Sequence, residues 1–323
     1  VRERVRRRAL AAIAVIGLAV ALCFTPTPYW IVAPGFAVDL RSRVIVDGHA
    51  PPAERYLLTD VVIMPATALM LAARFFPGVR LVSREKIAPA GISLKQYDRV
   101  LDDAMNASQD IAAVVAERAA GLRVEDPPQW IVIERILPDS KAGAALQVGD
   151  TVLSIEGRPV AAARDIANAI RALPPGAIVA ASVRRNGRVL NVRVATIATA
   201  AGVRLGIALS PRTLKANLPV PVRFDLKNIS GSSGGLMFAL EIYGALRPKP
   251  HAAFESIAGT GTLAFDGRVG PIEGTAQKLI AARRAGARIF LVPRENYADV
   301  ASEQGIRIVP VGSFRDALAA LRS

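Results

Sequence analysis

Hydrophobic and polar positions alternate with changing period along this chain, and each change of period marks a new element. From Ala9 to Phe24 no charged or strongly polar residue occurs, and Thr25-Pro26-Thr27-Pro28 then precedes Tyr29 and Trp30. Between residues 34 and 90 the strand-like runs "SRVIVDG", "LLTDVVIM" and "VRLVSREKI" flank a helical stretch, Ala66 to Phe76, that Pro77-Gly78 ends. Asp60 and Pro65 interrupt the hydrophobicity, so this segment reads as globular and not as a membrane span. In "SLKQYDRVLDDAMNASQDIAAVVAERAAG" the residues Leu94, Tyr97, Leu101 and Met105 fall on one helical face. Ser93 and Gln96 form a capping box before that helix, and Gly121 stops it.

Residues 122 to 198 change character: strand signals surround one helix, Ala163 to Leu173, with turns at Gly149-Asp150, Glu156-Gly157 and Asn186-Gly187. From about Arg204 the pattern is α/β. "FDLKNISGSSGG" reads as strand and loop, "LMFALEIYGAL" as a helix, and "AGTGTLAFDGRVGPI" as a hairpin about Asp266-Gly267. "GTAQKLIAARRAG" reads as a helix stopped by Gly286, "RIFLVP" as a buried strand, "IRIVPV" as a strand, and Ser313 to Leu321 as a last helix. The fold class is therefore α+β, and 323 residues suffice for two or three domains.

Charge changes the reading of the N-terminus. Arg2, Arg4, Arg6, Arg7 and Arg8 stand before the apolar run, and the sixteen residues of that run fall short of the ~20 that cross a bilayer. Extension to Tyr29 and Trp30 supplies the missing turn and two interfacial aromatics. The expectation is a transmembrane helix over residues 9–30, with residues 1–8 cytoplasmic by the positive-inside bias and the bulk extracytoplasmic, a single-pass protein of the cell membrane. A cleaved signal peptide is the rival, but Leu22 and Phe24 stand where small residues are needed. A lipidated Cys23 is a weaker rival; as the single cysteine, it has no internal disulfide partner. The remaining excess of the +14 net charge is dispersed and nearly without aromatic company, which argues against nucleic acid as a partner.

The inventory of catalytic groups is short. His49 and His251 have no further His or Cys at ligand spacing, so no metal is expected, and no GxxxxGK[ST] loop or cofactor signature occurs. Ser232 and Ser233 sit in a glycine cluster on the first turn of an apolar helix, where a serine commonly caps. A serine nucleophile needs a base, and a lysine made neutral by burial can serve. Lys278 has Gly274, Thr275, Ala281 and Ala282 as helical neighbours, a small-residue face that allows close packing and desolvation, whereas Lys215 and Lys227 lie in less apolar settings.

Two resemblances attach to these residues. Pro138-Asp139-Ser140, Ala142, Leu146, Val148-Gly149-Asp150, Val152-Leu153, Ile155, Gly157, Pro159-Val160 and Arg185-Asn186-Gly187 resemble a bacterial PDZ domain, which implies capture of an extended peptide as an added strand. "GSSGGLMFALEIY", "IAGTGTLAFDGRVGPIEGTAQKLIAARRAGA" and "FLVPRENYADV" resemble the proteolytic domain of Lon-type serine peptidases, especially membrane-anchored, PDZ-bearing relatives without an ATPase module. The resemblance implies a ribosomal S5 domain 2-like α/β fold and a Ser-Lys dyad. In it Ser233 is the nucleophile, Lys278 the general base, and Thr260 carries a hydroxyl beside the lysine. Ser232 and Gly234 flank the nucleophile in the oxyanion loop, and Ser232 is the alternative nucleophile should the loop register shift. Ser232 replaces the family's proline, Gly234 its alanine, and Glu273-Gly274-Thr275 its "GG" run.

The expected organisation is a segment of mixed strands and helix over 31–121, the PDZ domain over 122–198 and the proteolytic domain over 199–323. The expected function is a membrane-anchored, ATP-independent serine endopeptidase acting on extracytoplasmic proteins or peptides; a PDZ adaptor with an inactive Lon-like domain is the alternative. Protein or peptide substrates and the membrane are the expected partners, and a hexameric ring is implied by resemblance.

Overall fold

The computed structural model describes residues 2–83, 87, 94–125, 129–137, 140–160, 163–199, 202–213, 216–226, 229–247 and 256–321. Ser93, Pro138, Asp139, Lys215, Lys227 and His251, all named in the sequence reading, lie outside them. The chain forms two compact units, one of residues 1–124 with 218–323 and one of residues 125–217.

The helices of the first unit are α1 (Arg2–Phe24), α2 (Leu94–Ala119), α3 (Gly235–Leu246), α4 (Thr275–Arg284) and α5 (Phe314–Ala320). Its strands are β1 (Pro26–Asp39), β2 (Val44–Val46), β3 (Arg55–Thr67), β4 (Arg80–Ser83), β5 (Val222–Phe224), β6 (Ser256–Gly259), β7 (Thr262–Leu263), β8 (Val269–Gly270), β9 (Ile289–Pro293) and β10 (Arg307–Val311). Six of them form a mixed sheet in the order β10-β9-β6-β3-β1-β4. β6 runs parallel to both β3 and β9, whereas β1 is antiparallel to β3 and β4.

Strand alternation divides the core. Tyr56, Leu58, Ile257 and Leu291 share one cluster with Leu236, Phe238 and Leu240 of α3 and with Ala112 and Ala116 of α2. The intervening Leu57, Ala258, Phe290 and Val292 pack with Leu279 and Ala282 of α4. α3 and α4 thus cover opposite faces, and the residues just after β6 lie within reach of both. The Ala66–Phe76 stretch read as helical is instead the end of β3 and a 3-10 segment, Leu69–Phe75.

The second unit is a sheet in the order 207–213, 129–136, 151–155, 178–185, 188–195, with one short helix, Ala163–Ile170. Its core joins Ile131, Ile133, Val152, Ile155, Ile166, Ile170, Val179 and Val183. Asp150, in the predicted turn, is buried and ion-paired to Arg185 at 2.7 Å.

The expected transmembrane helix is corrected. Among the described residues no helix is long and apolar enough to cross a membrane. α1 takes up the arginines and ends at Phe24; its apolar stretch is about 24 Å at 1.5 Å per residue, against a ~30 Å hydrocarbon core. Tyr29 and Trp30, which were to complete the span, belong to β1 and pair with β3 and β4. The fold class with a membrane helix, the membrane as partner and a single-pass placement in the cell membrane are therefore not supported.

Candidate active site

The site forms where α3, α4 and the residues after β6 meet. The N-cap of α3 is Gly234, with φ −89°, ψ −7° and no side-chain cap bond. The serines before it consequently do not serve as the cap. Ser233 Oγ instead receives a hydrogen bond of 2.6 Å from Lys278 Nζ, which also donates to Thr260 Oγ1 at 3.1 Å. Thr260 in turn donates to the Ser233 carbonyl at 3.1 Å, and the Gly261 N–H donates to the same oxygen at 2.8 Å. Ser233, Lys278 and Thr260 are thus brought together; no bond joins Lys278 to Ser232 among the described residues.

Local structure explains the convergence. α4 starts from Gly274 in the left-handed region, φ 74°, where a Cβ would also approach Val61 Cγ1 to 2.9 Å. Its first turn is anchored from the segment Arg294–Asp299: Thr275 donates to Asp299 at 3.1 Å, and Asn296 bonds both the N–H and the carbonyl of Ile272. Lys278 lies one turn later on the buried face, 2% exposed. Gly234 fits a tight place, since a Cβ there would come within 2.7 Å of Leu58 Cδ1 and 3.0 Å of the Phe238 ring.

Burial dominates the electrostatics. It disfavours the Lys278 ammonium and brings its pKa down to about 8, with the charge of Asp60 acting in the opposite direction. Burial raises the Asp60 carboxyl, while the Val61 N–H at 2.7 Å and the Lys278 charge pull it back. Asp60 is the group that sequence reasoning missed; its one signal was a carboxylate inside the apolar run "LLTDVVIM". His49 is exposed on a turn, with Nδ1 2.8 Å from the Asp47 carbonyl oxygen. Beside the first turn of α4 an open cavity of about 510 Å³ has Val32, Val61, Ile63, Val82, Ile87 and Ile272 among its apolar walls.

Residues 227–319 match the family model of the Lon protease (S16) C-terminal proteolytic domain, and residues 74–196 match that of the PDZ domain. Archaeal Lon protease of Archaeoglobus fulgidus is 30% identical over 109 residues, 32% of this chain and 17% of the relative. Lon protease 2 of Bacillus subtilis is 30% identical over 115 residues, 35% of this chain and 20% of the relative. The chain therefore spans a fifth or less of these two relatives. Among solved structures, the PDZ domain of an SdrC-like protein from Listeria monocytogenes is similar at 17% identity and a TM-score of 0.23, covering 24% of this chain and 85% of that one. The matched proteolytic domain and the Lon protease relatives support a serine endopeptidase.

Proposed function

We propose that the chain hydrolyses peptide bonds in protein or peptide substrates through Ser233 and Lys278. The observation that carries this reading is the 2.6 Å contact between Ser233 Oγ and an amine that is 2% exposed. Neutral Lys278 takes the hydroxyl proton as Oγ attacks the scissile carbonyl carbon. The resulting oxyanion is held by the N–H groups of Ser233 and Gly234, which precede the hydrogen-bonded ladder of α3 and sit at its positive end. The Lys278 ammonium then returns the proton to the leaving amine. Water, deprotonated by the same lysine, releases the acyl group and restores Ser233.

Thr260 fixes the amine by accepting from Nζ while its own proton goes to the Ser233 carbonyl. The cavity beside α4, whose walls mix Val61, Ile63 and Ile272 with Arg80, Glu273 and Asp299, takes a substrate side chain. The second unit, residues 125–217, which overlaps the PDZ family match to residues 74–196, presents substrate or a regulatory peptide by strand addition. The sequence has no phosphate-binding loop, and this dyad chemistry draws on no nucleotide.

The test is labelling of the full chain with a fluorophosphonate and mapping of the modified peptide. Adduct on Ser233, absent in Ser233→Ala and much slowed in Lys278→Ala, is expected. Adduct on Ser232 would make that residue the nucleophile in its place, and no adduct at all would favour a PDZ adaptor with an inactive Lon-like domain.

A further inference from the structure

The loop carrying the nucleophile lacks the proline that would stiffen it, yet it is tethered from outside. Leu101, Met105, Ser108 and Ala112 succeed one another at helical spacings of four, three and four along α2. Ser108 stands within this otherwise apolar row as a hydroxyl that is 4% exposed. It donates to the Ser232 carbonyl at 3.1 Å, and the Leu101 carbonyl accepts from the Gly231 N–H at 3.0 Å. Gly235 leaves the room for this, because a Cβ there would lie 2.9 Å from Ser108 Oγ.

Peptide geometry sets the consequence. The carbonyl of Ser232 and the N–H of Ser233 belong to one planar trans unit and point in opposite directions. Holding the carbonyl against α2 therefore fixes the N–H on the other side, away from that helix. We propose that Ser108 is a positioning residue, which acts through the Ser232 carbonyl to orient the Ser233 N–H as an oxyanion donor. This rests on the peptidase reading of Ser233 and Lys278. The Gly261 and Thr260 bonds to the Ser233 carbonyl hold the next peptide unit, and so the Gly234 N–H, in the same manner.

Kinetics of the full chain on fluorescein-labelled casein test the assignment, with Ser108→Ala and Ser108→Cys compared with the unaltered chain. A donor misplaced by a fraction of an ångström slows the chemical step without weakening ground-state binding. Ser108→Ala should lower kcat about 10- to 100-fold with KM within twofold, and Ser108→Cys should fall between. The pH midpoint should stay in place, since Lys278 keeps both its partners. The Ki of an alanyl-terminated tripeptide boronate, whose tetrahedral adduct needs the same donor, should rise by the factor that kcat/KM loses. Ser108→Ala with kcat within twofold, or a loss matched by an equal loss of folded protein in near-UV circular dichroism, overturns the assignment. Activity that survives Ser233→Ala defeats the peptidase reading itself, so the two failures are distinguishable.

Discussion

Lys278 is a buried amine whose charged form the fold disfavours. Its folded-state pKa of about 8 lies below the 10.5 of a free lysine, so between these values the unfolded chain binds more protons than the folded one. Stability attributable to this group therefore increases as pH rises from 8 to 10.5, and below 8 the buried charge costs on the order of 3 kcal/mol. Lys278→Met should abolish proteolysis and raise the midpoint of thermal unfolding at pH 7, measured by circular dichroism; a lowered midpoint would show that the amine stabilises the fold. Asp60 opposes the loss of the Lys278 proton. Asp60→Asn should accordingly move the midpoint of the pH–rate profile downward, and an upward or absent shift would exclude the carboxylate from the site's electrostatics. Ser233 was legible from its glycine cluster, though only with Ser232 as a rival, and Lys278 from its small-residue helical face, while Thr260 entered only through the resemblance to Lon-type peptidases. Asp60 and Ser108 were not, because their partners lie some 120 to 220 residues away in the chain and only folding brings them together.

At the level of elements, α3 is buried nearly all round: nine of its twelve residues are buried, from Gly235 through Ile242 and again at Ala245. Such a helix belongs inside a layered fold, yet it carries Glu241, 1% exposed and with neither carboxylate oxygen hydrogen-bonded among the described residues. Burial, aided by the charges of Asp39 and Glu54 and opposed by Arg41, pushes this carboxyl up to about 9. A raised acid loses stability as pH climbs from its unfolded value through its folded one. Glu241→Leu should therefore stabilise the protein at pH 8 by on the order of 2 kcal/mol in urea unfolding; destabilisation there would mean that the carboxylate has a partner. α3 and α4 lie where "LMFALEIYGAL" and "GTAQKLIAARRAG" read as helices, whereas β3 ran on through residues read as helical. Residues 66–76 are rich in alanine and leucine, good helix formers, but pairing with β1 overrides that preference up to Thr67.

The whole molecule shows where local pattern stops being informative. The sheet beneath the site joins residues 26–67 to residues 256–311, with β3 lying between β1 and β6. Thr59 on β3 also bonds the carbonyl of Gly259, at 3.0 Å, directly before Thr260. Such long-range pairing has no signature in periodicity, which explains why residues 31–121 read as a segment of their own. A fragment of residues 199–323 lacks β1, β3 and α2 and should show no cooperative thermal transition, while the full chain should; a cooperative melt of the fragment would mean that the C-terminal elements fold without the N-terminal strands. The N-terminal apolar run was legible as a helix, but its length was misjudged, because Thr25-Pro26 turns the chain into the sheet.

Proton transfer from Ser233 to Lys278 is the step on which the proposed hydrolysis depends. The most direct measurement is the rate of casein cleavage by the full chain between pH 6 and 10, alongside Ser233→Ala and Lys278→Ala. The account predicts a rate that rises with pH about a midpoint near 8 and is lost in both variants. A profile flat across this range, or a Lys278→Ala chain that still cleaves at an undiminished rate, would contradict it.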